Sequence, residues 1–107
     1  MKVYVFSKDY KGEKEIENSL EALQEFVGGY IEVISLGENV VLICDDEGKI
    51  KQKEPTLFLN FKNGTEVIVG NCSICNVKGE EFDSLTEGQI EGINSDIDVQ
   101  FFRTLNI

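Results

Sequence analysis

Between Asn18 and Lys49 the chain reads NSLEALQEFVGGYIEVISLGENVVLICDDEGK, and the order of residue types dictates an order of elements. Asn18 can cap a helix, with Glu21 three residues on completing a capping-box pattern. Leu20, Leu23, Phe26 and Val27 recur at helical spacing, so a short amphipathic helix with one apolar face is expected. Gly28 supplies the left-handed residue on which helices commonly end, and Gly29 frees the chain to turn into Tyr30. Tyr30 to Leu36 and Val40 to Cys44 then read as two strands joined by Gly37-Glu38-Asn39, a three-residue loop of hairpin type. The second strand, Val-Val-Leu-Ile-Cys, is apolar on both faces. It belongs inside a sheet with something packed on each side, or with a partner chain covering it.

The flanking segments extend this fragment into a sheet. Lys2 to Phe6 places Val3 and Val5 on one face and Tyr4 and Phe6 on the other, as a well-covered strand does. Ser7 to Lys14 is polar with a turn signal at Gly12, and a second short strand is expected at Glu15-Ile16-Glu17. Asp45 to Gly48 forms a turn. Pro55 to Phe61 reads as a helical turn or an edge strand, Asn63-Gly64 as a turn, and Glu66 to Gly70 with Asn71 to Val77 as one strand bulged at Gly70. Thr86 opens a second helix, with Gln89 completing a capping box and Leu85 placed to staple onto Ile90. Gly88 and Gly92 each cost about 1 kcal/mol relative to alanine, so this helix should be short. Asp96 to Leu105 alternates as a closing strand.

The expected architecture is α+β: one domain over residues 1–107, a mostly antiparallel sheet of about five or six strands, and two short helices packed on it. A chain of this length buries roughly 65% of its unfolded surface, enough for one core. Twenty acids against ten bases give a formal charge of −10. That charge repels phosphate backbones and anionic lipids, so direct nucleic-acid and membrane binding are not expected. No run approaches the length of a membrane span and the first residues lack a signal-peptide core, which points to a soluble, cytoplasmic protein.

Chemistry-bearing motifs are sparse. Cys72 and Cys75 have metal-ligand spacing, but the chain has no histidine and only Cys44 besides; residues three apart on a strand also point to opposite faces. Buried, unligated thiols are expected, with no metal and no cofactor. Asp45-Asp46-Glu47-Gly48 lacks the alternating oxygen ligands of a calcium loop, and such turn acids normally face water. Gly28-Gly29 precedes a strand and cannot cradle phosphate. Without histidine, no recognisable acid–base pair or activated nucleophile emerges, and a non-enzyme is expected.

Charge distribution is the more informative feature. From Gly79 to Phe102 the chain carries Glu80, Glu81, Asp83, Glu87, Glu91, Asp96 and Asp98 with no lysine or arginine. Such a segment is a solvated face or a surface for a basic partner. Phe101 and Phe102 project to opposite sides of the closing strand, and with the two-sided Val40–Cys44 strand they suggest a homo-oligomer interface.

The Leu-rich helix, Val27-Gly28-Gly29-Tyr30-Ile31-Glu32-Val33 and the Asp-Glu-Gly-Lys turn resemble a family of small uncharacterised proteins carried by phages and plasmids of Gram-positive bacteria. The resemblance resumes at Val67-Ile68-Val69-Gly70 and at Phe82-Asp83-Ser84-Leu85-Thr86 and covers residues 2 to 93; the tail departs from it. It implies a mobile-element accessory protein of the kind that counters host defences. The leading expectation is a non-catalytic inhibitor that binds a host nucleic-acid-handling defence protein, such as a CRISPR effector or restriction enzyme, through the acidic segment. A second is an oligomeric sponge sequestering a nucleotide immune signal, and a third is a replication or transfer factor of the element.

Overall fold

The computed structural model describes residues 1–98 and 104–107. Two sheets and two helices make an α+β fold. In chain order the elements are β1 (Lys2–Phe6), β2 (Lys11–Glu15), α1 (Leu20–Val27), β3 (Ile31–Gly37), β4 (Val40–Asp45), β5 (Pro55–Phe61), β6 (Gly64–Val69), β7 (Cys72–Lys78), β8 (Glu81–Asp83), α2 (Glu87–Asp96), β9 (Ile97–Asp98) and β10 (Thr104–Asn106). The first sheet is antiparallel in the order β2-β1-β7-β4-β3, with β8 added to β7 beyond the end of β1; the second runs β6-β5-β10-β9, its β5·β10 pair parallel. Among the described residues no helix is long and apolar enough to cross a membrane.

Alternation in the first sheet generates three layers. Val3, Val5, Val41, Ile43 and Cys75 project to one face, where Leu23 and Val27 of α1 cover them. Burying those two helix residues contributes about 1.5–3 kcal/mol each. Tyr4, Phe6, Leu42, Cys44, Cys72 and Ile74 project to the other, against Leu57, Leu59 and Ile68 of the second sheet and Ile90 and Ile93 of α2. The buried Tyr4 hydroxyl donates to Asn94 Oδ1 at 2.6 Å, so the polar tip of a core residue ties α2 to β1. Strand β4 is therefore covered on both faces by its own chain, and its apolar character requires no second copy.

Several local expectations are corrected. The α1 cap is Ser19, whose extended backbone aims its hydroxyl at the Ala22 amide (3.1 Å); Asn18 instead donates to the Phe82 carbonyl at 2.8 Å. Leu20 falls outside the packed stripe and is exposed. The first hairpin turns at Ser7–Tyr10, closed by the Ser7 amide on the Tyr10 carbonyl, so Gly12 lies within β2. The β3–β4 loop has two residues, Glu38 and Asn39, both at positive φ as a type I′ turn needs, while Gly37 stays in register opposite Val40. Strand β5 is interior, flanked by β6 and β10.

The larger correction lies at Gly70. Residues 64–78 are two strands in two sheets: Gly70, at φ 74°, lets the chain leave β6 and cross to β7, the centre of the first sheet. At the other end, α2 runs to Asp96, where a strand was expected to begin. Its capping box is formed as read, with the Gln89 amide donating to Thr86 Oγ1 (3.2 Å) and the Thr86 amide to Gln89 Oε1 (2.9 Å), and Leu85 and Ile90 are both buried. Of the expected closing strand, the described ends are β9 and β10, which pair with each other antiparallel. Phe101 and Phe102 lie outside the described residues.

Candidate functional site

Three places gather charged or reactive side chains. The first is the acidic segment. Pairing of β8 with β7 leaves Glu81 and Asp83 exposed, Glu80 is exposed in the turn before them, and Glu87 and Glu91 are exposed one turn apart on α2. The α2 helix ends on Asp96, and Asp98 lies in β9. Folding brings in basic groups that the linear segment lacks. Lys78 stands directly opposite Glu81. Lys2 reaches Glu87 and also Glu13 of β2 (3.1 Å), and these two hydrogen bonds, Glu87's the stronger, raise the ammonium pKa against its partial desolvation. Among the described residues, no lysine or arginine amine lies within ion-pair distance of Glu80, Glu81, Asp83 or Glu91. Glu13 joins this face from far away in sequence. Its only signal was the β1–β2 hairpin, which sets it opposite Tyr4.

The second place is Asp45. Expected to face water, its side chain is fully buried. It accepts from Lys53 Nζ (2.7 Å), Lys51 Nζ (2.9 Å) and the Glu47 amide (2.9 Å). Burial alone pushes the carboxyl upward; hydrogen bonds from Lys53, Lys51 and Glu47 outweigh it and hold the pKa at about 2. The same lysines reach the end of α1, Lys53 donating to the Val27 carbonyl (2.8 Å) and Lys51 to the Gly28 carbonyl (3.1 Å). The last turn of α1 holds no basic residue, so the 46–53 loop supplies the positive charge that a helix C-terminus favours. Gly28 ends the helix at φ 83°, and a Cβ on Gly29 would stand 2.6 Å from Lys51 Nζ and 2.7 Å from Asp45 Oδ1. The double glycine and the acidic turn thus meet in one ion cluster.

The third place is the thiols. Cys72 and Cys75 face opposite sides of β7, in the two separate cores, and Cys44 is buried beside Glu32, whose carboxylate oxygen lies 3.6 Å from Sγ. Burial, the largest influence in each case, pushes Cys44 up to about 12, Cys75 to about 11 and Cys72 further upward. Thiols of that kind stay protonated and unreactive near neutral pH. Among the described residues, no group of three or more cysteine, aspartate or glutamate side chains is placed to hold a metal ion.

An apolar concavity of about 370 Å³ lies between the β3–β4 turn and α2, lined by Leu36, Val40, Ile74, Ile93 and Leu105. Glu38 is the one charged side chain on its described wall, and Gln89, which also lines it, is held in a reciprocal amide pair with Asn76 (2.8 Å each way).

A family model described as a domain of unknown function, DUF3846, matches residues 1–98. No curated protein and no solved structure matches the chain.

Proposed function

The chain belongs to the DUF3846 family, and from that premise we propose that it acts without catalysis, as an acidic binding protein that occupies a basic surface on another protein. The observation carrying this reading is the face built by β8 and α2, where Glu80, Glu81, Asp83 and Glu91 are exposed and have no cation within ion-pair distance among the described residues. Against a formal charge of −10, such a face steers association with lysine- and arginine-rich surfaces at long range. For a reading without catalysis, Asp45, the most perturbed carboxylate among the described residues, is locked by two lysines, and the three thiols are buried.

The phage and plasmid setting implied by the sequence pattern supplies the partner class, a host defence protein that handles nucleic acid in the cytoplasm. The protein then acts as a counter-defence inhibitor covering that protein's nucleic-acid-binding surface. The apolar concavity, whose described wall carries Glu38 and no lysine or arginine, adds no support to the nucleotide-sponge reading.

The test is a charge reversal that spares Glu87, whose partner is Lys2. The Glu81→Lys, Glu91→Lys double variant should keep the wild-type circular dichroism. Its association with purified CRISPR effectors or restriction enzymes that the wild type inhibits should slow about tenfold at low salt, with a flatter salt dependence. Undiminished inhibition by this variant, together with a melting-temperature rise on adding cyclic or ADP-ribose nucleotides, would transfer support to the sponge.

A further inference from the structure

The first sheet ends on β2 at one side and on β3 at the other, and the β3 edge is the one that offers itself to another strand. Strand β3 pairs with β4 alone, and among the described residues nothing pairs with its outer edge. The Tyr30 carbonyl accepts from the Asp46 amide (2.9 Å), one step beyond the Ile31–Asp45 pair. Hydrogen-bonded and non-hydrogen-bonded pairs alternate along an antiparallel ladder, so Tyr30, Glu32 and Ile34 direct their N–H and C=O groups toward β4. Those of Ile31, Val33 and Ser35 face outward. Protein edges are normally guarded by charged side chains, lysine above all, by proline or by a bulge within the strand, and of these the β3 edge carries only the charge of Glu32. Here the run from Ile31 to Ser35 has neither lysine nor proline, the irregularity comes only after Ser35, and Val33 is 46% exposed.

Beneath that edge the side chains facing the second sheet each border a hollow. Leu36 lines the apolar concavity already described. Ile34 with Phe61 lines one of about 530 Å³, and Glu32 borders both that hollow and another of about 240 Å³ that includes Asp46 and Glu66. Residues two apart on a strand share a face, so a strand laid along β3 would project every second side chain over this row. Main-chain pairing along an edge with alternate side chains in pockets is the geometry of peptide recognition by strand addition.

We infer that this edge binds an extended segment of a partner protein whose alternate side chains are one lysine or arginine, over Glu32, followed by two apolar residues, over Ile34 and Leu36. Charge selects this occupant over a second copy of the chain. Glu32, Glu38, Asp46 and Glu66 surround the row against one lysine, Lys49, which already pairs with Glu66 at 3.2 Å. A second copy laid antiparallel about Val33 would set the Glu32 residues of both copies at diagonal positions on one face, about 7–8 Å apart along the backbone, like charge beside like charge. The inference takes from the proposed function only the basic character of the partner and uses a different surface.

The probes are a peptide of about seven residues in which threonines alternate with lysine, valine and leucine, and its counterpart with glutamate for lysine. Amide exchange followed by NMR on the whole chain should slow at Ile31, Val33 and Ser35 with the lysine peptide, and the glutamate peptide should bind about tenfold more weakly. Val33→Pro removes one outward amide and should abolish protection while leaving β4 and β7 unchanged. Should that variant not fold, Glu32→Lys, at an exposed position, should reverse the preference between peptides. The Glu81→Lys, Glu91→Lys double variant should bind the lysine peptide as the wild type does, which separates failure here from failure of the acidic-face reading. No protection at about 1 mM lysine peptide, or binding retained by folded Val33→Pro, overturns the inference. Protection that appears without peptide and grows with protein concentration assigns the edge to a second copy and overturns it equally.

Discussion

Replacing Asp45 with asparagine tests whether one buried carboxylate holds the 46–53 loop against α1. The substitution keeps size and the acceptor for the Glu47 amide, and removes only the charge facing Lys51 and Lys53. A carboxyl moved from 3.8 to about 2 on folding contributes, at about 1.4 kcal/mol per unit, roughly 2.5 kcal/mol of stability. Loss of one partner of a fully buried pair costs about 3–5 kcal/mol. Lys51 and Lys53 keep 39% and 26% of their side-chain exposure and can recover water, so the smaller figure governs. Urea unfolding at pH 7 should therefore show Asp45→Asn roughly 2–3 kcal/mol less stable, and the melting temperature should fall by about 8–15 °C. The pH dependence follows from the sign of the shift. A carboxylate with a depressed folded pKa stabilises above its unfolded pKa and loses that contribution as pH falls through the folded value. The gap between wild type and variant should hold from pH 7 to about 4 and close toward pH 2. Equal stabilities at pH 7, or a gap that does not change between pH 7 and 2, would refute the reasoning.

Two further outcomes rest on buried groups of β7. The Ser73 hydroxyl is fully buried between Val5 and Ile43 with no hydrogen-bond partner among the described residues, so Ser73→Ala should raise stability by up to about 1 kcal/mol in thermal unfolding; a loss of that size would mean the hydroxyl is satisfied. Cys44, Cys72 and Cys75 should be refractory to a thiol-specific chromogenic disulfide in the native protein and all react on unfolding; fast native labelling of Cys72 or Cys75 would contradict their placement.

Elements set by neighbours in sequence were legible, while elements set by distant chain were not. Thr86 and Gln89 lie three apart, and their capping box formed as read; Val3 and Val5 separated from Tyr4 and Phe6 because alternation needs only the strand itself. The α1 cap moved by one residue because Asn18 and Ser19 are both good caps, and the carbonyl of Phe82 claimed Asn18. Glu66 to Val77 reads as one strand interrupted at Gly70, since nothing local says that its halves join different sheets. Asp45, next to two more acids, has the composition of a solvated turn, and the lysines that allow its burial follow six and eight residues later. Of the acidic segment, the exposure of Glu80, Glu81, Asp83, Glu87 and Glu91 agrees with their sequence pattern, whereas Lys2 entering beside Glu87 could be known only once β1 was set next to the Ser84–Leu85 backbone.

The place of β7 bears on how the chain reaches this structure. Strands β1 and β2 form a local hairpin, and β3 and β4 another, yet the two touch in the sheet only through β7, which pairs with Tyr4 to Phe6 on one side and Val40 to Ile43 on the other. Loops of roughly thirty to seventy residues must close before that strand gains either neighbour, and loop closure on that scale places a chain among the slower two-state folders. A nascent chain emerging from the ribosome would hold two hairpins with apolar faces and no common sheet until Cys72 to Lys78 appeared. Destabilising β7 should therefore slow folding more than it speeds unfolding, while equal damage to β8 or β9 should act mainly on the unfolding rate.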